Sequence, residues 1–182
     1  MKKLYLLLMV GVFHLCTLNG QTVAVKTNLL YDLTTTINLE GEVKIAPGWT
    51  LGLSGNYNPW NFSNDKKIKH WLIQPEVRYW LCESFAGHFF GAHLHYGEYN
   101  VGNILGIKGY RYDGNLYGAG LSYGYQWLLN KRWSIEGTLG VGFAHLDREK
   151  FTCGACGEKL NERTKNYIGP TRAAISLIYI IK

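Results

Sequence analysis

Apolar and polar residues alternate with a period of two along most of the chain beyond residue 20. In one segment, Trp49, Leu51 and Leu53 fall on one face, opposite Thr50 and Ser54. Successive side chains of a β-strand point to opposite faces, so this period predicts strands with one apolar face each. The pattern predicts eight strands, at residues 23–33, 39–45, 49–57, 71–81, 90–96, 117–129, 133–143 and 173–181, and no helix.

The links between the predicted strands are of two kinds. Short links follow the second, fourth and sixth strands, at residues 47–48, 82–87 and 130–131. Long links follow the third, fifth and seventh strands, at residues 58–69, 97–115 and 147–167, and the first link, near Thr35, is a short exception among them. Short turns at one end and long loops at the other are typical of outer-membrane β-barrels, whose turns face the periplasm.

Alternation alone does not decide whether the apolar face lies inside or outside a barrel. A soluble, lipocalin-like barrel has it inside, but eight strands enclose little more than room for packed side chains. The apolar face carries several Trp and Tyr with many Leu and Ile, which would overfill that interior, whereas the opposite face is rich in Gly, Ser and Thr. We therefore predict an all-β fold, an eight-stranded antiparallel up-and-down transmembrane β-barrel of the outer-membrane type. A soluble ligand-binding barrel is the alternative.

Aromatic residues gather toward the ends of the predicted strands. Those on the turn side are Trp49, Trp127, Trp133 and Tyr179, and those on the loop side are Tyr57, Trp71, Tyr96 and Tyr117. Amphipathic rings favour membrane interfaces, so two aromatic belts around a Leu, Val and Ile band are expected of a chain in contact with outer-membrane lipid.

The first 20 residues have the pattern of a secretory signal peptide. Lys2 and Lys3 precede an apolar run at residues 4–15, which is shorter than a membrane-spanning helix, and Gly20 offers a small residue before a cut at Gln21. Cys16 is not expected to be lipidated, because it follows a large residue. The predicted division is a signal peptide at residues 1–20 and a barrel at residues 21–182.

Charged residues are moderate in number and scattered. Lys and Arg number 19 against 13 Asp and Glu, and no element concentrates the basic ones, so nucleic acid is not an expected partner. Several charges share the polar face predicted to line the lumen. They are Glu40, Glu42, Lys44, Glu76, Arg78, Glu136 and Arg172, together with Lys26 and Asp32. Isolated buried charges are costly, so we expect them to pair and to form a plug that conducts poorly.

Two histidines are the main candidates for chemistry. His93 and His95 lie two residues apart on one predicted strand, so both would point into the lumen, where they could share a metal or supply a base. Ser122 and Glu98 are conceivable partners, and a lipid-modifying or hydrolytic enzyme is the corresponding alternative. We favour histidines that are only hydrogen-bonded, and we expect no enzyme activity and no cofactor or metal.

The long links carry further candidates. Cys153 and Cys156 could form a disulfide in an oxidising compartment or be free thiols, and one such pair without a second is a weak metal signal. The third link offers exposed aromatic and basic residues for contact with a surface partner or with lipopolysaccharide phosphates, unless they are an interfacial anchor. These are Trp60, Phe62, Lys66 and Lys67.

Five motifs occur in order along the mature chain. They are KTNLLYD at residues 26–32, YNPW at 57–60, QPEVRYW at 74–80, GAGLSYGYQW at 118–127 and YIGPT at 167–171. Together they resemble a family of small, functionally uncharacterised outer-membrane proteins common in Bacteroidetes-type Gram-negative bacteria. The resemblance implies an outer-membrane barrel and suggests a role in assembling or anchoring fimbria-like surface structures, with such a component as partner. It implies no catalytic or binding residue.

Overall fold

The computed structural model describes residues 23–62, 66–102, 110–152 and 159–181. These residues are almost entirely β-strand, which confirms the predicted all-β class. The elements are β1 (Val23–Asn28), α1 (Leu29–Leu33), β2 (Ile37–Ala46), β3 (Trp49–Asn58), β4 (Asn61–Phe62), β5 (Lys66–Trp80), β6 (Gly87–Gly102), β7 (Tyr110–Leu128), β8 (Trp133–Thr152) and β9 (Lys159–Ile181). None of the helical structure in these ranges is long and apolar enough to cross a membrane.

The strands form a single sheet that returns on itself as a ring. Neighbours along the chain pair antiparallel, β1 pairs with β9 from Val23↔Ile181 to Asn28↔Ser176, and β3 pairs with β5. Because β4 is a two-residue strand beside β5, the ring itself contains eight antiparallel strands. The predicted strand number and antiparallel order are therefore confirmed.

The two faces of the ring differ in polarity as the alternation predicts. On the outer face, Leu121 is 68% and Leu139 is 72% exposed, although both lie in the middle of long strands. On the inner face, Thr50, Ser54 and Thr138 are buried. The molecule therefore has apolar side chains outside and polar side chains inside, the reverse of a water-soluble domain.

The first predicted strand is wrong beyond residue 28. Residues 29–33 form the short helix α1 instead, and the Asn28 side chain caps it by accepting a hydrogen bond from Leu30 N at 3.1 Å. Asp32 therefore lies at the exposed loop end, where it accepts hydrogen bonds from Thr27 and Asn38, and not in the interior. A local Asn cap offers the backbone an alternative to the sheet, so it overrides a period of two.

The long links are shorter than predicted because the strands continue into them. The pairing of β6 with β7 extends to Gly102↔Arg111, and the pairing of β7 with β8 extends to Tyr110↔Thr152. We call the part of the sheet beyond the loop-side aromatic residues the projecting sheet. It comprises residues 97–102, 110–116, 146–152 and 159–166.

An apolar cluster closes the turn end of the interior. It consists of Ala24, Trp80, Phe85, Phe89 and Ile178, which we call the aromatic plug. The Trp80 ring packs on Phe89 at 4.7 Å between centroids, and its indole N–H donates to Thr50 Oγ1 at 2.9 Å. The alternation does not reveal this plug, because its strand residues lie at positions that alternate with the apolar outer-face residues, and Phe85 lies in a turn.

Gly124 lies where the Phe89 ring approaches the backbone of β7. A Cβ at this position would lie 2.6 Å from Phe89 Cε1 and 2.8 Å from Gly137 O. Because Phe89 is itself held against Trp80, we expect Gly124→Ala to lower the free energy of unfolding by about 1–3 kcal/mol. Gly41→Ala is the control, with nothing within 4 Å of its Cβ. Urea unfolding in detergent would measure both, and equal stabilities would contradict this packing.

Candidate functional site

The charged side chains of the inner face meet in one buried group, which we call the ion cluster. Its members are Lys26, Glu40, Glu42, Glu76, Arg78, Glu136 and Arg172, each at most 8% exposed. They come from β1, β2, β5, β8 and β9, so the cluster ties together strands on opposite sides of the ring.

Arg78 is the central cation of the ion cluster. Its guanidinium nitrogens lie 2.5 Å from Glu76, 2.7 Å from Glu42, 2.9 Å from Glu40 and 3.1 Å from Glu136. Its Cζ also lies 4.7 Å from the centroid of the Phe89 ring. Arg78 therefore joins the ion cluster to the aromatic plug, and the planar fork of donors in arginine suits contact with several carboxylates at once.

Lys26 and Arg172 complete the cationic part of the cluster. Lys26 Nζ lies 2.5 Å from Glu42 and 2.7 Å from Glu136. Arg172 Nη2 lies 2.7 Å from Glu40 and 3.5 Å from Glu76. Every carboxylate of the cluster thus contacts two or more cations.

Hydroxyl groups donate to two of the carboxylate oxygens that no cation contacts, whereas Glu42 Oε1 has no hydrogen-bond partner among the described residues. Ser122 donates to Glu76 Oε1, and Thr138 donates to Glu136 Oε1 at 2.7 Å. Buried ions are tolerated when their remaining lone pairs are hydrogen-bonded. The four carboxylates and three cations therefore form a buried network inside the ring, next to the aromatic plug.

Two residues predicted to pair stay outside this network. Asp32 lies at the exposed loop end, and Lys44 is half-buried and forms no ion pair with the described residues, whereas the other seven predicted residues are brought together. Lys44 pairs with Thr50 next to a register shift at the turn end of β2. Lys26, which the alternation predicts on the same face, lies directly opposite Glu40 in the register.

The two histidines lie inside the ring on the loop side of the ion cluster. Their ring centroids are 5.9 Å apart, and His93 Nε2 lies 3.0 Å from Thr171 Oγ1. Thr171 is the extra residue at a register shift between Gly140↔Arg172 and Val141↔Pro170, a local irregularity that sequence periodicity does not reveal.

The conceivable partners of the histidines are engaged elsewhere. Ser122 donates to Glu76. Glu98 is exposed on the outer face, opposite to His95, and accepts a hydrogen bond from Trp71 Nε1 at 3.0 Å. Across residues 23–62, 66–102, 110–152 and 159–181, no three His, Cys, Asp or Glu side chains are grouped as metal ligands. Among the described residues, His93 is hydrogen-bonded through Nε2, whereas Nδ1 of His93 and Nδ1 of His95 are buried without a hydrogen-bond partner.

A cavity of about 390 Å³ opens on the loop side of the ion cluster. Lys26, Glu40 and Arg172 border it, and Tyr31 of α1 and Thr171 of β9 contribute to its walls. The described residues therefore leave space inside the ring between the ion cluster and α1.

The loop candidates are placed only in part. Trp60 is 46% exposed, and its indole N–H donates to Thr35 O at 2.7 Å. The backbone of Phe62 and Lys66 forms the β4–β5 pairing, as does that of Lys67. Cys153 and Cys156 lie outside the described residues, so their predicted pairing stays a prediction.

Comparison with known proteins identifies the family of the chain. A family model described as Protein of unknown function (DUF3575) matches residues 4–181, nearly the whole chain. The chain belongs to this family. The DUF3575 match agrees with the predicted membership of an uncharacterised family. No curated protein and no solved structure matches the chain.

Proposed function

We propose that this DUF3575 protein is a non-enzymatic outer-membrane β-barrel with a blocked lumen, which acts at the cell surface through its projecting sheet. The observation that carries the proposal is the inverted polarity of the ring. Its apolar residues face outward, and a seven-residue ion cluster is buried inside. In water this arrangement would expose the apolar face and bury charge, and in a bilayer both faces are suitably placed.

The outer face has the profile of a membrane-spanning band. Tyr117 and Trp127 lie ten residues apart on the outer face of β7, about 33 Å along the strand. At the usual strand tilt of about 40° this corresponds to about 25 Å, the height of the apolar band in outer-membrane barrels. Between the two aromatic belts, the described outer-face residues include no charged side chain.

The aromatic belts are visible as ring contacts on that face. On the turn side, Trp49 packs on Tyr79 and Trp133 packs on Tyr179, each at 5.0 Å between centroids. On the loop side, Trp71 packs on the Tyr96 ring at 5.4 Å. Rings of this kind are favoured where hydrocarbon meets the headgroups.

Because the interior is blocked, we assign the function to the end of the ring that carries the projecting sheet. A lumen filled by ion pairs and aromatic rings offers no continuous aqueous path, so transport is disfavoured. The projecting sheet extends beyond the loop-side belt, and in the proposed orientation it stands in the extracellular space. With the resemblance to surface-associated outer-membrane proteins, this supports a role in assembling or anchoring a fimbria-like surface structure or in maintaining the envelope.

Labelling of intact cells tests the proposed location and orientation. In a background where Cys82, Cys153 and Cys156 are replaced by serine, Lys165→Cys should react with a membrane-impermeant maleimide. Lys131→Cys, in the short turn at the opposite end, should react only after the outer membrane is permeabilised. Equal labelling of both variants in intact cells would refute the orientation, and recovery of the chain in the soluble fraction would refute the membrane location.

Conductance and crosslinking test the blocked lumen and the surface role. The purified protein should give no steady conductance in planar bilayers, and porin-like currents would overturn the plug. A photo-crosslinking residue at Lys165 should capture a surface component, whereas one at Lys131 should not. Identical capture from both positions would count against a role of the projecting sheet.

A further inference from the structure

Three basic side chains and a tyrosine surround a small pocket on the projecting sheet. The pocket has a volume of about 190 Å³ and is lined by Tyr112, Arg148, Lys150 and Arg163, which we call the basic pocket. Arg148 lies four residues from the buried inner-face residue Ala144 on β8, so it points to the side continuous with the ring interior. The basic pocket is thus separate from the ion cluster.

The strand register places like charges directly opposite each other. Arg148 pairs with Arg163 across β8 and β9, and Lys150 pairs with Tyr112 across β7 and β8. Side chains directly opposite in an antiparallel pair are only about 5 Å apart at Cβ, and like charges there are destabilising. An anion between the two arginines would remove this repulsion.

Among the side chains that the structure describes, no carboxylate forms an ion pair with Arg148, Lys150 or Arg163. Arg148 lies 5.6 Å from the ring of Tyr112, and Lys150 Nζ lies 3.6 Å from that of Tyr110. These ring contacts hold the side chains without cancelling their charge.

The neighbouring aspartates are engaged on the opposite face. Asp113 accepts a hydrogen bond from Asn100 at 2.7 Å, and Asp147 lies 3.4 Å from His145 Nε2. Both are adjacent in sequence to basic-pocket residues, and adjacent strand residues point to opposite faces. Gly114 lies opposite Arg148 in the register and leaves space for its side chain.

We propose that the basic pocket binds a phosphate group. Arginine is suited to phosphate because its planar donors form paired hydrogen bonds to two oxygens, and Lys150 and Tyr112 add further donors. The volume corresponds to about six water molecules at roughly 30 Å³ each, which is enough for a phosphate group with part of its ester. Since lipid contacts only the outer face of a barrel, the inner position favours a soluble phosphate ester over a lipid headgroup.

Calorimetric titration of the purified chain in a non-ionic detergent tests the phosphate site. Such a detergent keeps a membrane protein or a soluble protein in solution, so the result does not depend on the proposed membrane location. Glucose 1-phosphate and pyrophosphate are the soluble probes, and glucose is the neutral control. We expect saturable binding of the phosphate probes, no binding of glucose, and weaker binding as the salt concentration rises.

Two variants that lose the same charge at different places distinguish binding in the basic pocket from general electrostatic attraction to a basic protein. Arg163→Gln should weaken binding about tenfold or more, since it removes a charge-assisted contact. Lys131→Gln removes the same charge at the other end of the ring and should leave the affinity unchanged. Equal affinities of these two variants, or no saturable binding of either probe, would overturn the proposal.

Nanodiscs of defined lipid composition distinguish a lipid headgroup from a soluble phosphate ester. If the phosphate is a lipid headgroup, phosphatidic acid in the nanodiscs should weaken the binding of glucose 1-phosphate by occupying the basic pocket, phosphatidylcholine should not, and Arg163→Gln should reduce this competition. If it is a soluble ester, glucose 1-phosphate should bind equally in both kinds of nanodisc. The melting temperature provides an independent readout, because a bound probe should raise it more in the unmodified protein than in Arg163→Gln at the same probe concentration.

Discussion

Arg78→Leu is expected to destabilise the protein by about 3–5 kcal/mol or to prevent folding. Arg78 contacts four carboxylates, and after its removal Glu42, Glu76 and Glu136 would share only Lys26 and Arg172, which are themselves in the cluster. The loss comes mainly from the buried carboxylates that remain uncompensated, because the favourable energy of the ion pairs themselves is largely offset by desolvation. Urea titration of the protein in detergent, followed by tryptophan fluorescence, would measure it.

A second substitution shows whether uncompensated charge is the cause. Adding Glu136→Gln to Arg78→Leu should recover part of the lost stability, because it neutralises one of the stranded carboxylates. The two substitutions should therefore be clearly non-additive, as expected for groups in one network. If leucine at position 78 were as stable as arginine, with or without the second substitution, the ion cluster would not stabilise the fold as described.

Lys44→Met is the matched control for the loss of a cation. The alternation places Lys44 on the same face as the ion cluster, but Lys44 makes no ion pair with the described residues. Its replacement should change the free energy of unfolding by no more than about 0.5 kcal/mol. A loss comparable with that of Arg78→Leu would mean that Lys44 belongs to the network.

The inner-face charges could be predicted because residues two apart on a strand point to the same face even when the register of the strand is unknown. Glu76 and Arg78 lie two residues apart, so they share a face wherever the strand begins and ends. Sequence alternation therefore places Glu40, Glu42 and Glu136 on the inner face as well. The alternation does not give the position of each residue along the axis of the ring.

The position along the axis of the ring decides which of two inner-face lysines joins the ion cluster. Lys26 and Lys44 both have inner-face parity, but Lys26 is opposite Glu40 whereas Lys44 is opposite Thr50. That register depends on where β1 ends, and β1 ends at Asn28 because of the cap of α1. The sequence pattern continues through residue 33, so it gives Lys26 and Lys44 the same expectation of pairing and does not separate them.

The aromatic plug and the projecting sheet show two further limits of periodicity. Trp80 and Phe89 have the parity of polar residues, and only their position at the turn end, against Ala24 and Ile178, makes an apolar interior there. In the projecting sheet, water reaches both faces, so no selection for an apolar face exists and a period of two is absent. Strands such as residues 97–102 were therefore predicted as loops.

Leu139→Arg is expected to lower the stability of the bilayer-inserted protein by about 2–4 kcal/mol. Leu139 is 72% exposed on the outer face of β8, between Trp133 of the turn-side belt and Phe143 near the loop-side belt. In a bilayer this position lies near the midplane, where a charged side chain is most costly. On a protein surface in water, the same substitution would change stability by only about 0.5 kcal/mol.

Ile168→Arg is the depth control for this prediction. Ile168 is 84% exposed and pairs with Phe143, so it lies nearer the loop-side interface, where the cost of arginine falls to about 0–1 kcal/mol. Guanidinium titration of both variants folded into phosphatidylcholine vesicles would give the two values. A large loss at position 139 with a small one at 168 is a depth profile that only a bilayer produces, since water treats two exposed leucine-sized side chains alike. Equal small losses at both positions would instead favour an outer face in contact with water, and the proposed membrane barrel would have to be abandoned.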